Sequence, residues 1–375
     1  MKPIDHLVKR IVIKIGSQVL ARNRTFNPKK IKFIAKDIEL LKKTIGAEII
    51  IVSSGAIMTG RMLIQTNGKP VSLGIKQALA SVGQAKLMET YSKAFAAYDM
   101  QVAQVLLTHD DFESRERYLN AKRTFSTLLK LGIIPIVNEN DAVSVEEIRF
   151  GDNDVMSAEV AALVGADTLV ILGDVEGLYT DDPKKNPSAK LISIVEAIGE
   201  TLLQSVGNTK SSFGTGGIKS KIIAAKIATE LNIGVWMLPG YRNGVLKKAL
   251  VEKNNIGTFF LPSRNPIKTR KHWIYHTLKT KGELVVDQGC EKAIILKGKS
   301  ILPQGVVSIK GDFPKESTVW IKNTKDKLIA KGLSRLSSSE IEKIIGLKPE
   351  QIKHAMSHNF TTEIVHRDNL VIMKS

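Results

Sequence analysis

Six short stretches of this chain combine small residues, lysines and short polar side chains in a way that suits the handling of anionic oxygens. They are Lys14-Ile15-Gly16-Ser17, Ser53-Ser54-Gly55-Ala56, Asn138-Glu139-Asn140-Asp141, Gly151-Asp152-Asn153-Asp154, Gly173-Asp174 and the run from Gly214 to Lys221. Small residues with free backbone N–H groups at a helix amino terminus make an anion site, because unpaired donors and the helix dipole both favour phosphate or carboxylate. Gly16-Ser17, Ser54-Gly55 and Gly216-Gly217 all qualify. One Gly-Ser after a strand is usually a turn, but three at successive strand ends make a pattern. Lys14 and Lys221 add point charges suited to transferring phosphoryl oxygens, and the apolar neighbours Ile13 and Ile15 make a merely snorkelling Lys14 unattractive. Asn138, Asn140, Asp141, Asp152, Asn153 and Asp154 could bind an amino group, orient the lysines or hold Mg²⁺ near phosphate. Asp154 also has the plain alternative of a helix N-cap. Familiar nucleotide loops are absent: Ala293 stands where Gly298-Lys299-Ser300 would need an upstream glycine, and Lys219 occupies the third glycine position after Gly214 and Gly216. No HExxH or GxSxG occurs either. The chemistry expected is phosphoryl transfer without a P-loop.

These stretches matter only if the fold gathers them, and the first two thirds of the chain provide the means. Short β-branched runs at Arg10–Ile15, Glu48–Val52, Gln101–Leu107, Ile133–Val137, Thr168–Leu172 and Gly234–Leu238 read as strands. Helical patterns at Pro28–Gly46, Leu73–Tyr98, Arg115–Leu131, Asp154–Val164 and Gly217–Leu231 separate them. Such alternation predicts an α/β fold with a mostly parallel sheet covered on both faces. Ligands of such sheets bind outside the carboxyl ends of the strands, where the polar stretches fall. After Leu261 the texture changes. Pro262 and Pro266 interrupt, and Arg264, Lys268, Arg270, Lys271, Lys279 and Lys281 follow without an acidic residue between Ser263 and Lys281. Beyond them come β-rich runs at Gly282–Val286, Ala293–Leu296, Gly305–Lys310, Thr318–Lys322 and Asp368–Met373, with one helical pattern at Ser337–Ile345. The expected organisation is a catalytic domain over 1–262, a basic linker over 263–281 and a small β-barrel domain over 282–375.

With 375 residues and 43 % apolar side chains, the chain can bury a large core. Its 55 basic and 37 acidic residues, net +18, favour anionic partners such as nucleotides, acidic metabolites or RNA. The single cysteine, Cys290, can form neither an internal disulfide nor a cysteine-based zinc site, which points to a reducing compartment, the cytoplasm. No apolar run approaches the roughly 20 residues of a spanning helix. Lys2, Asp5, Lys9, Arg10 and Lys14 break up the amino terminus, so neither signal peptide nor membrane is expected.

The ordered set VIKIGSQVL (12–20), IVSSGAIMTG (51–60), KQALASVGQ (76–84), NENDAV (138–143), FGDNDVMSA (150–158), GLYTDDP (177–183) and GTGGIKSK (214–221) resembles the amino acid kinase family. Asp287-Gln288-Gly289, the run from Ser300 to Gly305, and Gly311-Asp312-Phe313 resemble an appended PUA domain, with Cys290 replacing a common Ala. The resemblance implies an αβα sandwich and a phosphotransferase with a carboxyl acceptor. The implied reaction moves the γ-phosphoryl group of ATP to the side-chain carboxylate of L-glutamate, giving γ-glutamyl phosphate for proline biosynthesis. Carried over by motif, Ser54, Gly55, Asp141 and Asn153 would bind glutamate, and Lys14 and Lys221 would flank the transferred group with Asp152 and Asp154 organising them. Gly16, Gly173, Asp174, Thr215, Gly216, Gly217, Ile218, Lys219, Ser220 and Lys221 would bind the nucleotide. Gly173, Ile218 and Ser220 depart from the family's usual Thr, Met and Thr on the adenine side. The implied cofactors are ATP and Mg²⁺, the metal held mainly through the ATP phosphates. L-Proline is the implied inhibitor, a homo-oligomer the implied assembly and γ-glutamyl phosphate reductase an implied downstream partner. The alternatives are a relative acting on aspartate, acetylglutamate, carbamate or UMP, and an RNA-binding regulatory protein working through the PUA-like tail. The NEND and GDND pair favours glutamate. Aromatics at 5 %, with no stacking array in the tail, count against RNA.

Overall fold

The computed structural model describes residues 8–22, 25–64, 72–143, 152–183, 185–205, 217–264, 266, 271, 273–274, 278–347, 351–352 and 363–373, with only the backbone at Arg22, Asp152 and Ser205. Two compact units divide the chain, Met1–Pro266 and Ile267–Ser375. Among the described residues no helix is long and apolar enough to cross a membrane.

The first unit is built on an eight-stranded sheet. Its main elements in chain order are β1 (Arg10–Ile15), α1 (Pro28–Ile45), β2 (Glu48–Ser53), α2 (Ala56–Leu63), α3 (Leu73–Ala96), β3 (Val102–Leu107), α4 (Arg115–Lys130), β4 (Ile134–Glu139), α5 (Asp152–Val164), β5 (Thr168–Gly173), β6 (Ile194–Val195), α6 (Ile218–Glu230), β7 (Gly234–Pro239) and β8 (Thr258–Phe260). The strand order is β6-β8-β7-β5-β1-β2-β4-β3, and every neighbouring pair is parallel except β7 with β8. All six strands and five helices expected from the apolar periodicity are present within a few residues of the expected limits.

The pleat decides which side chain meets which helix. In β1, Ile11, Ile13 and Ile15 join a core with Ile31, Ile34 and Ile38 of α1 and Leu87, Tyr91 and Phe95 of α3. Val12 faces the opposite core, formed with Met156, Val160 and Leu163 of α5 and Ile222, Ala225 and Ala228 of α6. Successive strand residues alternate faces, so Lys14 shares the side of Val12 and meets α5 and α6. These helices carry runs of alanine, Ala158 and Ala161 against Ala224, Ala225 and Ala228, all buried. Small side chains let their backbones, and hence their first turns, approach closely. On the other face α2 and α3 cross at two glycines: a Cβ on Gly83 would lie 1.9 Å from the Ala56 carbonyl oxygen, and one on Gly60 would lie 2.0 Å from that of Leu79.

The second unit holds a five-stranded sheet of β9 (Thr280–Val286), β10 (Val306–Lys310), β11 (Thr318–Asn323), β12 (Leu328–Leu333) and β13 (Leu370–Ile372), in the order β10-β9-β11-β12-β13. Only β9 and β11 pair in parallel. The run Ala293–Leu296 is not a strand: it lies inside a helix, α7 (Gln288–Lys297). Asp287 caps that helix by accepting the Cys290 N–H at 2.7 Å, and Gly298 ends it at φ 56°. Four apolar residues suit either period, and the caps on both sides decide for the helix. Strand β12 is absent from the sequence reading because Lys331 and Gly332 interrupt its apolar run.

Candidate active site

The carboxyl ends of β7, β5, β1 and β2 lie side by side, and around them the first turns of α5 and α6 deliver their side chains. Asp154, the third residue of α5, is fully buried. Its Oδ1 is 2.5 Å from the Lys14 Nζ, and its Oδ2 is 3.3 Å from the Lys221 Nζ and accepts the Ser220 hydroxyl at 2.7 Å. Both lysines are buried too, at 5 % and 4 % exposure. Helix α5 starts at Asp152, so Asp154 is not an N-cap; its carboxylate serves the lysines instead. A buried charge is tolerable only when paired and hydrogen-bonded, and this one has two cations and a hydroxyl. Burial opposes the ionisation of Asp154, but Lys14 and Lys221, with the bonds from Lys14 and Ser220, outweigh it and hold the carboxyl below its usual range. Burial lowers the Lys14 pKa and Lys221 pushes the same way, while the charges of Asp154 and Asp174 oppose. Asp174, next after β5, is thus within electrostatic reach of Lys14.

Asn153 precedes Asp154 and reaches the other way. Its Nδ2 lies 2.9 Å from the Ser53 carbonyl oxygen, 2.9 Å from the Ser54 Oγ and 3.2 Å from the Asn138 Oδ1. Its own Oδ1 is buried and has no hydrogen-bond donor among the described residues. Behind it runs a relay that sequence reasoning did not foresee. Asn138 donates to Gln84 Oε1 at 2.8 Å, and Gln84 donates to Gln104 at 3.3 Å. Ser53 Oγ is 2.9 Å from the Tyr91 hydroxyl. The close crossing at Gly83 seats Gln84, its neighbour on α3, in this relay. Its one trace in the sequence is the stretch KQALASVGQ, which ends at Gln84.

The glycines lie where backbone must pass close. Gly55 N-caps α2 at φ 103°, a left-handed value that disfavours side chains. A Cβ on Gly173 would sit 3.1 Å from the Lys221 Cε. Gly217 N-caps α6, whose first turn holds Ile218, the exposed Lys219 and Ser220. Gly16 donates its N–H to the Leu172 carbonyl at 3.2 Å. The expectation of a helix amino terminus at Gly16-Ser17 does not hold. A turn follows, in which the amides of Val19 and Leu20 return to the carbonyls of Gly16 and Ser17, and α1 begins only at Pro28. Asp141 lies in the turn after β4. Thr215, Gly216 and the Asp152 side chain lie outside the described residues. Among the described residues no group of three or more His, Cys, Asp or Glu side chains could hold a metal ion.

The model of the amino acid kinase family matches residues 9–237, and that of the PUA domain matches residues 282–356. The chain is 43 % identical over 98 % of its length to glutamate 5-kinase of Syntrophotalea carbinolica, and covers 98 % of that protein. It is 44 % identical to glutamate 5-kinase of Carboxydothermus hydrogenoformans with both chains covered in full. Against glutamate 5-kinase of Geobacter metallireducens the identity is 43 %, over 98 % of each chain.

Proposed function

We propose that this chain, which belongs to the amino acid kinase family and carries a PUA domain, is a glutamate 5-kinase: it transfers the γ-phosphoryl group of ATP to the γ-carboxylate of L-glutamate. The product is γ-glutamyl phosphate, the opening intermediate of proline biosynthesis. Likeness over the whole length to relatives of that name supports the substrate. The observation that carries the mechanism is Asp154 standing between Lys14 and Lys221, where the end of β1 meets the first turns of α5 and α6.

Two anionic oxygens must approach in line for this reaction, so the site needs positive charge and fixed donors more than an acid or a base. Lys14 and Lys221 supply that charge, and Asp154 fixes both ammonium groups before substrate arrives, which removes reorganisation from the chemical step. Glutamate is held at Ser54, Gly55, Asp141 and Asn153. The buried Asn153 Oδ1 is an acceptor suited to an α-ammonium group, and the amide relay behind it fixes its orientation. The nucleotide lies along Gly16, Gly173, Asp174 and the first turn of α6, with Thr215 and Gly216 just before that helix. Mg²⁺ carried on the ATP phosphates would neutralise charge on the β- and γ-oxygens. L-Proline, the end product of that pathway, shares the α-carboxylate and α-ammonium groups of glutamate and acts as an inhibitor competing with it, and the enzyme works as a homo-oligomer.

Measuring ADP release by a coupled assay over L-glutamate, L-aspartate, N-acetylglutamate and UMP tests the reading. Turnover with glutamate at least tenfold above the others is expected; a preference for any other acceptor overturns it.

A further inference from the structure

A second set of contacts lies beside the site and takes no part in the mechanism above. The turn at 240–243 follows β7, and Gly240 donates its N–H to the Gly173 carbonyl at 2.8 Å. A Cβ on Gly240 would come within 2.6 Å of Val19, 2.9 Å of Leu172 and 3.1 Å of the Gly173 oxygen, so the turn presses directly on the end of β5. A Cβ on Gly173 would in turn meet the Lys221 stem, at 3.1 Å from its Cε. The loop leaving β5 is pinned at its far end by the buried Thr258, whose Oγ1 accepts the Leu178 N–H at 2.7 Å. Its middle is held from the 240–243 turn: both Tyr241 and Arg242 bond the Glu176 carboxylate, and the Arg242 guanidinium lies 5.7 Å from the Tyr241 ring centroid.

The turn is itself anchored at unusual cost. Lys30 of α1 is 6 % exposed, and its Nζ donates to the Arg242 carbonyl at 2.7 Å and to Asn243 Oδ1 at 3.0 Å. Seven residues along the same helix face, Asp37 accepts the backbone N–H groups of Leu246 and Lys247. One face of α1 thus grips the carbonyl end and the amide end of the segment 242–247. Burying an ammonium group to hold a surface turn costs folding free energy, and the exposed pair it presents to Glu176 returns little stability. Positioning accounts for both.

We propose that Glu176, paired with Arg242 and Tyr241, is a positioning residue that sets the nucleotide affinity of the site by fixing the loop 173–176 beside Lys221. The inference rests on the reading that this loop binds ATP. Fixing the loop acts on the nucleotide half, whereas Ser54, Asn138 and Asn153 are carried by β2, β4 and α5 and bond one another rather than the loop.

The test uses the full-length chain with Glu176→Ala, Arg242→Ala and the double variant. The dissociation constant of ATP, measured by calorimetry without acceptor, is followed by KM values for ATP and glutamate. Each single variant should weaken ATP binding roughly three- to tenfold, with the KM of glutamate and the melting temperature nearly unchanged. The double variant should be no worse than either single one, and Arg242→Lys should recover part of the affinity. Unchanged ATP affinity, additive losses, or equal changes in both KM values would overturn the proposal. Because the calorimetry needs no acceptor, it decides the matter even if glutamate is not the substrate, whereas wild-type protein that fails to bind ATP sinks both readings.

Discussion

Asp154 concentrates two tasks in one carboxylate: it keeps a pair of buried ammonium groups compatible with the fold and holds them where phosphoryl charge would develop. Removing a lysine should therefore act on the chemical step. Lys14→Ala or Lys221→Ala should lower kcat by roughly 10² or more, with a smaller change in the KM of glutamate. Steady-state kinetics decide this, and near-normal kcat in both variants would exclude the role. Asp154→Asn should act on stability, because it leaves two buried cations facing a neutral amide, at a cost of about 3–5 kcal/mol. The penalty has a definite pH window. The carboxyl of Asp154 is held below its ordinary 3.8, so its contribution is complete above that value and is lost as pH falls through the lower native value. Urea titrations of wild type and Asp154→Asn should show a constant gap at neutral pH that narrows below about pH 4. A gap independent of pH down to 2.5 would mean that the charge is not what matters. This much of the site was legible residue by residue, since Lys14, Asp154 and Lys221 stand at strand and helix ends. The relay through Gln84 and Gln104 was not, because Asn138 and Gln84 are 54 residues apart and meet only when α3 packs on the sheet that carries β4.

Helix α1 illustrates what an element adds to its residues. Its apolar side, Ile31, Ile34, Ile38 and Leu41, packs on the sheet as the period of the sequence demands. The grip of Lys30 and Asp37 on 242–247 depends instead on a strand order that places β7 two positions from β1, which the period of α1 does not carry. The same limit explains Glu176 and Arg242, partners across 66 residues that no local pattern links. Strands were read well because β-branched runs buried on both faces have little else to become. Ala293–Leu296 was misread because α7 is defined by Asp287 and Gly298, its caps, more than by its apolar residues. The buried Lys30 has a measurable signature. Burial drops its pKa from 10.5 to about 8, against the pull of Asp37. A lowered lysine pKa means that the unfolded chain holds more protons between those two values, so stability rises with pH across that window as the burden of the buried charge is lifted. Relative to Lys30→Met, wild-type protein should gain unfolding free energy between pH 8 and 10.5; a flat difference would show the amine to be solvated in the folded chain.

At the scale of the molecule, the question is how far the chemistry depends on the second unit. The lysines, carboxylates and amides assigned to substrate, nucleotide and phosphoryl group lie before position 222 and the positioning pair Tyr241 and Arg242 before 243, all on or beside one sheet with a core on each face. The second unit has its own apolar core, including Leu284, Val286, Phe313, Val319 and Ile321. Even the segment leading into it is engaged there: Ile274 and Leu278 pack with Leu333 and Val371, and the buried Lys331 donates to the Leu278 carbonyl at 2.6 Å. A cut at Pro266 therefore severs the chain before that segment and leaves the sheet of the first unit whole. Residues 1–266 should fold cooperatively and form ADP with L-glutamate at a rate within about tenfold of the full chain, that is, within about 1.4 kcal/mol of barrier. Sensitivity to L-proline, Mg²⁺ dependence and assembly state are the properties free to change, since regulation couples sites through equilibria that the chemical step does not need. Circular dichroism and the coupled assay on the truncated protein separate the cases. A folded truncation without activity would show that the PUA domain completes the catalytic site, and the self-sufficiency of the first unit would fall with it.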